Sequence, residues 1–148
     1  MRTVSLLLMT VAMVVAAGTL TGAPAPQEHP AYLHALSDLR DARGHLERPN
    51  GGALEHQEQD AIAEIDKAIG EIKAASIDDG KDIHDHARVD LHMPWTGRLR
   101  TALQLLDRAH NDIAKEEDNP AAHGLKRRAL EHIDLARRHV HEAMDVAH

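Results

Sequence analysis

The apolar positions of this chain fall into four stretches that share one period. Each reads Ala-Φ-x-x-Φ-x-x-Ala-x-x-x-Φ, where Φ is Leu, Ile or Val. The first comprises Ala35, Leu36, Leu39, Ala42 and Leu46, and the second Ala61, Ile62, Ile65, Ala68 and Ile72. The third comprises Ala102, Leu103, Leu106, Ala109 and Ile113, and the fourth Ala129, Leu130, Ile133, Ala136 and Val140. At 3.6 residues per turn these offsets lie on one stripe of a helix, and none fits the alternation of a strand. The pattern predicts four helices, over about 30–47, 54–77, 96–116 and 120–146.

The copies begin at 35, 61, 102 and 129, so two short intervals flank a long one. That spacing suits two helical hairpins joined by a longer connection. Duplication of a hairpin and independent drift into similar heptads both account for it. The expected fold is all-α, an antiparallel up-down-up-down four-helix bundle in which the first and last helices are neighbours. Pro30 suits a first helical position, and Arg48-Pro49-Asn50-Gly51-Gly52 breaks the chain after helix 1. Asp78-Asp79-Gly80 stops helix 2, Thr96 can cap helix 3, and Asn119-Pro120 marks the start of helix 4. The Ala positions predict close helix approach, with Tyr32 and Trp95 plugging the ends of an aliphatic core.

Residues 1–23 do not fit this scheme. Arg2 precedes an apolar run over residues 4–17, which has the length of a signal-peptide core and is too short to span a bilayer. An uncleaved anchor helix is the other reading of this run. Leu20-Thr21-Gly22-Ala23 has the shape of a lipoprotein box with Ala in place of the lipidated Cys, and residues 19–27 read as a spacer. The expectation is a signal peptide and spacer over 1–23 and one bundle domain over 24–148. The location would be periplasmic or secreted, with no membrane insertion after signal removal.

Composition excludes several activities. The 148 residues include no Cys, so disulfides, thiolate metal sites and cysteine nucleophiles are ruled out. A net charge of -7 and 1% aromatic residues argue against nucleic acid. A Gly-rich phosphate loop and a nucleophile elbow are both missing, so the expected role is non-enzymatic.

The unusual feature is 13 His, enough to reverse the sign of the net charge if all were protonated. On helix 1, His34, Asp38, Asp41 and His45 share a face, and on helix 4 His132 and His139 share one. Were helices 1 and 4 adjacent, His34, Asp38, His45, His132 and His139 could hold Zn(II), Cu(II) or Ni(II), which imidazole suits. Secondary metal candidates are His84, His86 and His92 in the long connection, with Asp90 beside them. His141, Asp145 and His148 form another set at the C-terminal end. His110 lies beside the apolar stripe, one turn after Asp107, and reads as a partly buried, satisfied imidazole. Asp107-x-x-His110 falls short of the paired Glu-x-x-His of a di-iron bundle.

The segments His29-Pro-Ala-Tyr-Leu-His-Ala-Leu-Ser-Asp-Leu-Arg40, Ile77-Asp-Asp-Gly-Lys81, Glu116-Glu-Asp-Asn-Pro120 and Arg128-Ala-Leu-Glu-His-Ile-Asp134 resemble small exported bacterial helical-bundle proteins of unassigned function. The resemblance implies a secreted bundle and brings no catalytic residue with it. The sequence thus supports a bundle that binds divalent transition-metal ions through surface His and Asp. The alternative is an envelope structural or interaction module, with a protein partner or self-association, in which His gives a pH response.

Overall fold

The computed structural model describes residues 29–47, 55–74, 79–116 and 124–146. Its regular elements there are four helices: α1 is Pro30–Leu46, α2 His56–Ala74, α3 Trp95–Lys115 and α4 Leu125–Val146. The signal segment, His148 and the Asn119-Pro120 helix start lie outside the described residues. No helix among the described residues is long and apolar enough to cross a membrane.

Local chemistry sets the helix starts. Pro30 occupies the first turn of α1, where a missing N–H has no consequence. Glu58 is 2% exposed, and its Oε2 accepts the Glu55 backbone N–H at 3.0 Å, the carboxylate half of a capping box. Helix α3 begins two residues earlier than a Thr96 cap would have it. Pro94 holds the N-cap position with φ -54°, and its carbonyl accepts the Arg98 N–H at 3.1 Å.

The repeated stripe is the core. In all four copies the first, third, fourth and fifth positions are fully buried. Leu36 is buried too, whereas Ile62, Leu103 and Leu130 pack at its edge. Each fully buried Leu or Ile contributes about 1.5–3 kcal/mol from water exclusion. The Ala positions carry less apolar area but let the helix axes approach closely, so that flanking side chains of adjacent helices meet. Tyr32 is fully buried with its ring edge on His29, and Trp95 is partly buried with the Arg98 guanidinium 5.0 Å from its ring centre.

The order around the bundle corrects the expected ring. The packed pairs are α1 with α3, α2 with α4, α3 with α4 and, less extensively, α1 with α2. Helices α1 and α4 therefore lie across a diagonal instead of side by side. The long connection is the physical reason, because it carries the chain far enough for α3 to return beside α1. Arg98, in the first turn of α3, donates to the carbonyls of Gly44 (3.2 Å) and Glu47 at the end of α1. At the other end His29 meets Glu116 at 3.2 Å.

Truncating Leu106, which is fully buried, tests the core directly. Leu106→Ala is expected to lower unfolding stability by about 2–5 kcal/mol, read from the denaturant midpoint at unchanged slope.

Candidate functional site

The chemistry of the described chain concentrates at the C-terminal half of α1. Arg40 is 1% exposed there, a guanidinium almost wholly removed from water. Such a charge is tolerable when every donor is met by a carboxylate or carbonyl. Asp79 takes Nη1 and Nη2 at 3.3 and 2.5 Å, and the Asp85 carbonyl takes Nε at 3.1 Å. These three bonds lay residues 79–94, hereafter the strap, along α1. Asp41 adds a fourth by accepting the Ala87 N–H at 2.8 Å, and Lys73 of α2 donates to the Lys81 carbonyl at 2.6 Å.

The strap folds by its own Asp residues. Asp79, Asp82 and Asp90 each accept the backbone N–H two residues ahead, at 3.2, 2.9 and 2.9 Å. This is the turn chemistry expected of Asp, and it tightens the path on which the histidines ride. Ile83 packs against the core.

His86 is seated on bare backbone. A Cβ at Gly44 would come within 2.6 Å of its ring, so this glycine in the last turn of α1 is the notch that admits the imidazole. His86 Nδ1 lies 2.8 Å from the Ala87 carbonyl and so carries the proton it donates, which leaves Nε2 as a bare acceptor. His84 Nδ1 lies 3.0 Å from Arg43 Nη1, a group that can only donate, so this nitrogen is an acceptor as well. Both face Glu47: His84 Nδ1 is 3.6 Å from Oε1, and His86 Nε2 is 3.8 Å from Oε2. Arg43 also bonds Glu47, and its Nε donates to Asp66 of α2 at 2.9 Å.

The leading metal set is not brought together. Asp38 accepts from Arg108 of α3 at 3.0 Å, and His34 is exposed. His132 bonds Glu64 of α2 at 2.7 Å, and His139 bonds Glu142 of its own helix at 3.2 Å. His45 keeps a buried Nδ1 with no hydrogen-bond partner among the described residues. These five residues are divided between α1 and α4, which are not one of the packed helix pairs. Among the described residues, no three His, Asp or Glu side chains already stand as a group that could hold a metal ion. Of the secondary candidates, His84 and His86 meet at Glu47, while His92, His141 and Asp145 are exposed. His110 is partly buried and faces Asp134 at 3.6 Å, while Asp107 pairs with Arg137 at 2.7 Å.

Arg40, Arg43, Glu47 and Arg98 belong to no sequence motif that marks them as site residues. Arg40 and Arg43 stand one turn beyond Leu36 and Leu39, beside the apolar stripe, where they read as an ordinary polar flank. Gly44 inside α1 was the usable signal, since glycine there costs about 1 kcal/mol unless something approaches closely.

Four groups among the described residues depart from ordinary acidity. Burial pushes Asp38 up, against Arg108 and with Asp112 and Asp41. Burial lowers His45, with Arg98 and His86 adding to the effect and Asp41 opposing it. Burial also pushes up on Glu64 and Asp79, but bonds from Lys67 and His132, and from Arg40 and the Lys81 N–H, outweigh it and leave both below the usual range.

Comparison with family models, curated proteins and solved structures finds no match to this chain.

Two predictions follow from this geometry. Gly70 has open space where a Cβ would go, so Gly70→Ala is expected to raise stability by about 0.5–1 kcal/mol. Gly44→Ala must displace the His86 ring and is expected to lose that gain, which paired thermal melts would read. Asp79 has a depressed folded value, so its contribution is present above the ordinary Asp value and lost as pH falls through the folded one. Hydrogen exchange at the Ala87 amide should therefore speed up below about pH 4 relative to the intrinsic rate. In Asp79→Asn that amide should be less protected at pH 7 than in the parent chain.

Proposed function

We propose that this chain is a non-catalytic, exported helical module whose packing is stapled by imidazole–carboxylate pairs and therefore responds to acidification. One observation carries the reading: such pairs join separate helices at three seams. His132–Glu64 links α4 to α2 at 2.7 Å, His29–Glu116 links the ends of α1 and α3 at 3.2 Å, and His110–Asp134 approaches across α3 and α4 at 3.6 Å. A neutral imidazole gives such a pair one hydrogen bond, and a protonated one adds a charge. The end-to-end contacts of α1 and α3 support an up-down-down-up path in which every packed pair runs antiparallel. Export is supported by the leader pattern of residues 1–23, and the absence of a phosphate loop or nucleophile elbow supports a binding or structural role.

His132–Glu64 is the pair to test, because both side chains are largely buried, at 23% and 12% exposure. The charged groups around it are Lys67, which donates to Glu64 at 2.6 Å, and the Arg128–Glu71 ion pair on the same seam. A double-mutant cycle with His132→Gln and Glu64→Gln should give a coupling near 1 kcal/mol at pH 5.5 and a clearly smaller one at pH 8. Equal coupling at the two pH values would refute the proton-responsive staple.

A further inference from the structure

We propose that Glu47, His84 and His86 form a binding site for one divalent first-row transition-metal ion, at the place where the strap crosses the end of α1. Three observations carry it. First, the hydrogen bonds already described fix which imidazole nitrogens carry a lone pair. His86 spends its proton on the Ala87 carbonyl, leaving a lone pair on Nε2 3.8 Å from Glu47 Oε2, and the His84 Nδ1 lone pair, 3.6 Å from Oε1, is held only by Arg43. Second, the separations suit an ion and not a hydrogen bond. At 3.8 Å, Glu47 Oε2 and His86 Nε2 are too far apart to share a proton. Ligands bonded to one ion at about 2.0–2.2 Å stand roughly 3–4 Å from each other. Third, the seat is built. Gly44 leaves room for the His86 ring, and the Nδ1–H bond to a backbone carbonyl orients the imidazole as outer hydrogen bonds orient metal-binding histidines.

The Arg43 guanidinium now supplies the positive charge that this cluster of acceptors needs, by bonding both His84 and Glu47. That is why no finished coordination group is present. Arg43 already reaches Asp66 through Nε, so its Nη1 can leave the cluster while the arginine stays anchored to α2. Two imidazoles and one carboxylate suit Zn(II), Co(II), Ni(II) or Cu(II) and leave a coordination position open to water. The entry side is open, since the His84 side chain is 62% exposed and that of Glu47 37%.

Zn(II) titration of the untagged full chain, followed by calorimetry, tests the site, with the visible absorption of Co(II) as a second readout. The expected result is one saturable equivalent and a rise in melting temperature with added metal. Binding should weaken at least tenfold in Glu47→Gln and in His84→Gln. The latter replaces a largely exposed side chain, so it keeps the test valid should His86→Gln disturb the strap. Arg43→Gln should tighten binding severalfold, an outcome that a merely histidine-rich surface would not give. His139→Gln and His141→Gln should leave binding unchanged. The proposal is overturned by non-saturating uptake, by binding indifferent to Glu47→Gln and His84→Gln, or by binding lost in the His139 and His141 variants. Failure here leaves the His132–Glu64 coupling untouched, so the two readings are separately decidable.

Discussion

A guanidinium almost out of reach of water governs how the connection between α2 and α3 lies on α1. Arg40 is the largest of the fully buried side chains. Its charge must be answered from inside, and α1 supplies no carboxylate in the right place. The answer comes from the connection between α2 and α3, which gives Asp79 and the Asp85 carbonyl. A bidentate pair fixes orientation as well as distance, so the strap cannot slide along α1. The positions of His84 and His86 follow from that register, as does the meeting of their nitrogens with Glu47.

The same constraint explains the order of the helices. Arg98 caps the end of α1 from the first turn of α3 through the carbonyls of Gly44 and Glu47. Helix C-terminal carbonyls lack intrahelical partners, and a cation among them is doubly favourable. Strap and α3 thus approach the end of α1 from two sides, and α4 is left to pack on α2 and α3. The diagonal placement of α1 and α4 belongs to this arrangement.

Much of the fold was legible in the residues, and the reason is physical. The Ala-Φ-x-x-Φ-x-x-Ala-x-x-x-Φ pattern names a stripe, and burial of a stripe is a local consequence of helical geometry. Which stripe meets which is not local. Four nearly identical stripes carry almost no information about pairing, so Ala35 and Leu39 look as suited to α4 as to α3. The expected cluster of His34, Asp38, His45, His132 and His139 depended on that choice and dissolved with it. The pairing of His84 with His86 was visible as a spacing. Their target was not, because Glu47 reads as a helix-end acid until the strap is docked. Gly44 is the residue type that hints at the place, since a glycine within a helix is poorly suited there unless another group needs its space.

The imidazoles divide into two kinds by the state of their carboxylates. At the seams each acceptor is met: Glu64 receives both His132 and Lys67, and Asp134, which faces His110, also receives Arg137. Such pairs follow from the small residues of the core. Ala at two of the five stripe positions brings helix axes close, so the flanking polar side chains of adjacent helices touch instead of ending in solvent. At the end of α1 the balance differs, because one imidazole nitrogen and a carboxylate share a guanidinium nitrogen, while His86 Nε2 stands 3.8 Å from the same carboxylate. A set of acceptors that outnumbers its donors is held in place by something other than its own attraction, here the Arg40–Asp79 anchor and the Gly44 notch. That surplus of lone pairs is what separates a cation-seeking site from a histidine-rich surface.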